Sequence, residues 1–316
     1  MAFLVRRLLL TIPVLFIVSV ICFSMINLIP GDPATVILGP EASQQAKEEM
    51  RNRLNLNEPI PVQYIDWLWG VLHGDLGESL IDDTPVSKLI LERLPVTIEL
   101  ALGAFAVSFT VAVIVGVLSA SRRGTWVDYL STGAALGGIS IPSFWLGMML
   151  IIIFAVNLGI LPASGYVPFF QNPVANITAM ILPIIATGLR ESGELTRMLR
   201  SSLLEQLGSD YVRTAFSKGL SRRVVLIRHA VRNALIPFVT ASGLQIAGLL
   251  GGLVVTETVF QLPGLGRLVV DSIENRDFTT VQGTVLTITL IAVAVNLLID
   301  VLYTIIDPRI SVSSKE

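Results

Sequence analysis

Six apolar runs, each close to the ~20 helical residues needed to cross a ~30 Å hydrocarbon layer, constrain this chain more than any other feature. They lie near residues 8–29, 96–119, 132–156, 176–189, 235–259 and 281–306. Lipid offers the backbone no hydrogen bonds, so each run must satisfy its own amides as a helix. The expected fold is therefore an all-α polytopic membrane protein with six transmembrane helices. Composition agrees: 53% of residues are hydrophobic and 15% charged, where a soluble domain carries about a quarter charged. The fourth run is the shortest, contains Pro183 and Gly188, and needs the helical-looking residues after it. The first is too long for a signal-peptide core, and no small-x-small cleavage site precedes Pro30-Gly31-Asp32-Pro33, so it reads as a retained anchor.

Several function classes fall away. A net charge of −2 gives no general affinity for nucleic acid. Cys22 is the single cysteine and makes neither an internal disulfide nor a metal cage. No G-x-x-x-x-G-K-[ST], H-E-x-x-H or G-x-S-x-G is present, and His73 and His229 stand on different segments. The expectation is a chain that catalyses nothing and binds no cofactor or metal. The spans hold few charges: Glu99, Glu257 and Asp300, each near a span end, where a snorkelling structural role is expected. An ion-coupled secondary transporter, the alternative from another class, would need more, and a membrane-embedded enzyme or sensor has no reactive constellation to use. Driving force must come from elsewhere.

Basic residues orient the chain. Arg6, Arg7, Arg122, Arg123, nine residues between Arg190 and Arg232, Arg309 and Lys315 share one side, 15 of the 22. The positive-inside rule makes that side, and both termini, cytoplasmic. The long outer loop after the first helix contains an amphipathic helix over 44–54 and an aromatic patch from Tyr64 to Trp69. It reads either as a docking platform or as a scaffold resting on the membrane face.

The inner segment 190–233 is richer. Leu195, Leu199, Leu203 and Leu207 recur at helical spacing, so span four runs on beyond the membrane as one helix. Gly208-Ser209-Asp210 stops and restarts the chain, with Ser209 or Asp210 as cap of a short helix over 211–218 that ends at Gly219. Ser221 caps another helix, rising to Pro237, where span five begins. The short helix presents Thr214, Ala215, Ser217 and Gly219 to a partner's backbone and Arg213 and Lys218 to its acids; alternatively it lies on the anionic leaflet. In span five, Thr240, Gln245, Gly248 and Gly252 read either as tight helix packing or as the lining of a path. Pro142 with Ser140 would kink span three toward the same seam.

These residues carry a resemblance. Asp210-Tyr211-Val212-Arg213-Thr214-Ala215, Lys218-Gly219-Leu220-Ser221, Arg228-His229-Ala230 and Arg232-Asn233-Ala234-Leu235-Ile236-Pro237 resemble the cytoplasmic loop of bacterial ABC-importer permeases, specifically the first permease of the dipeptide, oligopeptide and nickel group. The likeness extends to Leu28-Ile29-Pro30-Gly31-Asp32-Pro33, Gly74-Asp75-Leu76-Gly77, Leu94-Pro95-Val96-Thr97, Ser140-Ile141-Pro142-Ser143, Phe260-Gln261-Leu262-Pro263-Gly264 and Asp307-Pro308-Arg309-Ile310. Arg213-Thr214 stand where the broader motif has Glu-Ala, and Arg232 replaces a proline. The resemblance implies a type I permease: first helix 1–29, extracytoplasmic loop 30–94, core 95–306 with its coupling loop at 190–235, and tail 307–316. It implies that Asp210, Tyr211, Arg213, Thr214, Ala215, Lys218, Gly219 and Leu220 meet an ATPase, supported by Arg228, His229, Arg232, Asn233 and Pro237. It implies as partners a second homologous permease, two ATP-binding-cassette subunits that use ATP and Mg, and a substrate-binding protein, in a bacterial inner membrane. Di- and oligopeptides are the expected cargo, with nickel chelates, glutathione and short sugars open.

Overall fold

In a computed structural model, residues 2–27 and 31–306 are described. The expectations placed on Leu28, Ile29, Pro30 and the tail 307–316 lie outside them. In chain order the helices are α1 (Ala2–Asn27), α2 (Pro33–Leu38), α3 (Gln44–Arg53), α4 (Ile60–Leu72), α5 (Val86–Ser121), α6 (Trp126–Ser140) and α7 (Ser143–Leu150), which runs on as a π-helical turn, Ile151–Asn157. Then come α8 (Pro173–Leu207), α9 (Asp210–Ser217), α10 (Arg222–Val224) leading through a π-helical stretch, Val225–Val231, into α11 (Arg232–Gly252), and finally α12 (Val254–Val259), α13 (Leu265–Glu274) and α14 (Phe278–Ile306). The described residues form no sheet, only an isolated bridge between Glu78 and Pro85.

Five helices are long and apolar enough to cross a membrane, six if the bent pair α6 and α7 counts as one span. The kink expected in the third run is a break: the two halves meet at 103°. Pro142 causes it. A proline forces the residue before it out of helical backbone, and Ile141 is extended at φ −83°, ψ 123°. The fourth run behaves as the leucine spacing predicts, α8 continuing unbroken for 35 residues through Pro183. No break falls at Pro237 between the rising helix and span five. That residue sits inside a helix continuous from Arg222, its missing N–H tolerated as prolines in membrane helices are when neighbours pack around them.

The chain forms two compact units: the residues up to Val96 with Pro263–Val293, and Thr97–Leu262 with the residues from Ala294 onward. In the first, Tyr64 and Trp67 of α4 pack on Phe16 and Phe23 of α1, and the Tyr64 hydroxyl meets Ser19 Oγ at 2.8 Å. Two of the three rings of the expected aromatic patch are thus packed internally, leaving Trp69 exposed. Asp32 caps α2, accepting from Thr35 N and Oγ1 at 3.1 and 2.7 Å. Arg51 of α3 donates to the same carboxylate at 2.9 and 3.2 Å. Arg51 first, then Thr35, pull the Asp32 carboxyl down to about 2. Buried Asp277 anchors the start of α14, accepting from Ser79 Oγ and Thr280 Oγ1, each at 2.7 Å.

In the second unit α8 is the hub against which α6, α7 and α11 pack. Glycine permits the closest approaches: a Cβ on Gly188 would lie 2.7 Å from Val107 and 2.8 Å from the Ala104 carbonyl, and one on Gly193 would lie 2.5 Å from the Ala135 carbonyl. The expected snorkelling of Glu257 does not occur. Its side chain is fully buried and accepts from Thr97 Oγ1 at 2.7 Å, since a protein hydroxyl inside the bundle replaces water at the interface. Asp300 is also buried, and Glu99 accepts from the Tyr166 hydroxyl at 3.0 Å.

Candidate functional site: an exposed short helix and a polar cavity

α9 is held by two residues. Val212 and Ala215, three apart and hence on one helical face, are buried in a core with Leu199 and Leu203 of α8 and Val225, Ala230 and Ala234 beyond. Ala215 is therefore corrected: at 5% exposure it packs within its own chain and offers a partner nothing. Asp210, Tyr211, Arg213, Thr214, Ser217, Lys218, Gly219 and Leu220 are exposed as expected. So is Phe216, at 46%, a residue the sequence reading passed over. The signal was present, since 212 and 215 suffice to seat the helix and leave a phenylalanine over.

The predicted caps are absent. Ser209 Oγ donates back to the Gln206 carbonyl, and neither Ser209 nor Ser221 makes a side-chain cap. The stop at the other end is as expected: Lys218 closes α9 and Gly219 turns left-handed at φ +80°. Tyr211 pins α9 to its neighbours, donating to Gln206 Oε1 at 2.8 Å and accepting from Asn233 Nδ2 at 3.0 Å. Asn233 thus acquires a defined role, while Arg228 and Arg232 stay exposed, His229 half-buried, and Pro237 half-buried one turn further on.

Two features flank α9. Arg222 donates to the Ser121 carbonyl at 2.6 Å, and beside it a cavity of about 420 Å³ is lined by Arg123, Arg222, Phe216, Leu204, Leu207 and Leu226 among others. Further along α8, Arg200 grips Asp128 with two donors at 2.8 and 3.0 Å. Ser119 Oγ and Gly124 N also donate to that carboxylate, at 2.6 and 3.0 Å. With Asp128 4% exposed, this is a buried bidentate pair whose remaining lone pairs are satisfied.

A second cavity, of about 430 Å³, lies between α8 and α11. Gln245, Gly248 and Gly252 line it, together with Arg190, Glu191, Glu194, Thr187, Thr256 and Ser143. The other three expected path residues do not. Thr240 bonds back to the Ile236 carbonyl and Ser140 to the Leu136 carbonyl, and Pro142 is spent on the α6–α7 break. Within this chain no other element packs on Gly248 or Gly252: nothing lies within 4 Å of a Cβ at either. Gln245 lines the cavity with its amide already engaged: Nε2 donates to the Glu191 carbonyl at 2.8 Å and to Glu191 Oε2 at 3.2 Å, while Oε1 accepts from Ser108 at 2.8 Å. Arg190 pairs with Glu191. Sequence reading missed Arg190, Glu191 and Glu194 because they stand at the foot of a span, where charge is expected in any case.

The family profile of the binding-protein-dependent transport system inner membrane component matches residues 112–312, and that of the N-terminal part of such components matches residues 1–101. The chain is 47% identical over 309 residues to a putative peptide transport system permease protein of Brucella suis, covering 98% of each. It is 43% identical to the dipeptide transport system permease protein DppB of Alkalihalophilus pseudofirmus, covering 98% of this chain and 99% of that one. With the DppB of Escherichia coli it shares 40%, covering 98% of both. Among solved structures, the crystal structure of an amino acid ABC transporter with histidines has a TM-score of 0.51 at 15% identity, covering 71% of this chain and 94% of its own; it shares the fold.

Proposed function

We infer the role of this chain from one premise: it belongs to the binding-protein-dependent transport system inner membrane components. It is the multi-pass permease subunit of a bacterial ABC importer, and ATP is hydrolysed by a separate subunit rather than by this chain. An ATPase and a substrate-binding protein are its partners in such a system. The cargo we propose is di- and oligopeptides, carried by the full-length likeness to the peptide and dipeptide transport permeases.

The finer assembly follows as our reading. This chain and a homologous permease form the two halves of a path, two ATPase subunits dock beneath, and both termini are cytoplasmic. The ATPase contact is the exposed face of α9, centred on Arg213, Thr214, Phe216, Lys218 and Gly219. The cavity bearing Arg123 and Arg222 would accept an acidic or aromatic side chain of the ATPase beside it. What supports this reading is that α9 is rooted by Val212 and Ala215 in the same core as α8 and α11, so a push on its outer face moves both helices that wall the polar cavity. A switch of this kind needs contacts that differ between nucleotide states.

Two measurements test the reading. A cysteine at Thr214 should cross-link to the ATPase subunit in the assembled transporter; cross-linking only to lipid probes would overturn the coupling assignment. Mass spectrometry of ligands retained by the cognate binding protein should recover short peptides. Glutathione, a nickel chelate or a short sugar in their place would replace peptide as the cargo.

A further inference from the structure

We propose that the cavity between α8 and α11 is a transit subsite for the ammonium group of a peptide, with Glu194 as the residue that receives it. This rests on the peptide-importer reading and adds to it a place and a charge. Three ionisable side chains line the cavity, and two of them are spoken for. Arg190 pairs with one carboxylate oxygen of Glu191, and Gln245 Nε2, itself held by Ser108, reaches the other at 3.2 Å. Glu194 stands one turn along α8, is exposed to the cavity, and makes no ion pair or hydrogen bond among the described residues.

The lining therefore carries one negative charge that no described residue pairs with. A carboxylate in a recess flanked by Leu195, Leu244 and Leu249 attracts a cation more strongly than one in bulk water, because fewer water dipoles screen it. The opposite wall gives the cation room to arrive with its chain. Gly248 and Gly252, one turn apart on α11, present bare backbone with nothing within 4 Å of where a side chain would start. The volume of about 430 Å³ lies within the range of small-molecule sites, roughly 300–1,000 Å³. Every peptide with a free amino terminus carries the group Glu194 would receive, and a lysine or arginine side chain offers a second. The subsite thus reads charge without reading sequence.

The test uses the complete transporter in proteoliposomes with its binding protein at saturation, and compares uptake of Lys-Ala with that of Glu-Ala. In Glu194→Gln uptake of both peptides should fall, since both carry an amino terminus. The ratio of cationic to anionic uptake should fall about tenfold because Lys-Ala brings a second ammonium group, the size expected for one partly desolvated charge pair. Glu194→Lys should lower it further, and Glu194→Asp should keep it. Peptide affinity of the binding protein and ligand-stimulated ATP hydrolysis should not change, which separates the subsite from capture and from coupling. Gly248→Leu fills open space, so the complex should assemble while tripeptides lose uptake before dipeptides. An unchanged ratio in both charge variants, with normal wild-type uptake, overturns the subsite alone. No uptake of any peptide by the wild type overturns the importer reading itself.

Discussion

Glycine shows how one residue type serves opposite ends in this chain. At Gly188 a methyl group would collide with Val107 and the Ala104 carbonyl, so Gly188→Ala is expected to lower stability by about 1–3 kcal/mol, the usual cost of overpacking. At Gly252 the same substitution meets nothing, and the melting temperature of Gly252→Ala in detergent should match or exceed that of the parent. Gly219 is a third case: no neighbour crowds it, but its φ of +80° is left-handed, so Gly219→Ala is strained at about 1 kcal/mol through the backbone alone. Ala215 and Thr214 separate fold from coupling. Ala215→Asp puts an unpaired charge among Leu199, Leu203 and Val225 and should abolish accumulation of folded protein. Thr214→Asp, on the exposed face, should insert and assemble normally yet lose transport. Equal behaviour of the two in membrane-fraction blots and uptake assays would remove the distinction.

Among elements, the Arg200–Asp128 grip ties α8 to the loop and helix that follow α5. Removing only the arginine leaves a buried carboxylate with the Ser119 and Gly124 donors alone. Arg200→Met is therefore expected to cost about 3–5 kcal/mol, and the double change with Asp128→Leu much less; thermal unfolding of the purified protein reads the difference. The α2–α3 clasp makes a pH prediction. Asp32 sits at about 2 when folded, against about 3.9 for an unperturbed aspartate. A depressed folded value means that the bound proton is more costly in the folded state, so the stabilisation is complete above about pH 4 and fades as pH falls toward 2. The stability lead of wild type over Arg51→Met should be the same at about pH 7 and 5 and shrink by about pH 2. A lead that persists at that pH would remove Asp32 from the clasp. The broken α6–α7 pair belongs to this scale too, a single proline having turned one apolar run into two helices.

At the scale of the whole molecule, the proposed orientation makes its own prediction. Cys22 is the single cysteine, so Cys22→Ala removes the native background to thiol labelling. Arg123→Cys and Arg276→Cys place thiols at exposed positions of two loops. The proposed orientation predicts that a membrane-impermeant maleimide labels position 276 in intact cells, and position 123 only after permeabilisation. The reverse pattern would turn the molecule over and move α9 away from any cytoplasmic ATPase.

Residue order alone determined the helical class, the number of apolar runs, the unbroken length of α8, and the short helix ended by Gly219, because these depend on hydrophobicity, periodicity and backbone freedom, which are local. The motif proposed for coupling was legible for the same reason, its residues being contiguous. Tertiary structure decided the rest. It chose which face of α9 is hidden, turned Glu257 inward to Thr97, spent Ser209, Ser140 and Thr240 on their own backbones, and opened a space at Gly248 and Gly252 while closing it at Gly188. Such outcomes depend on what lies across from a residue. A chain read in order carries no record of its neighbours in space.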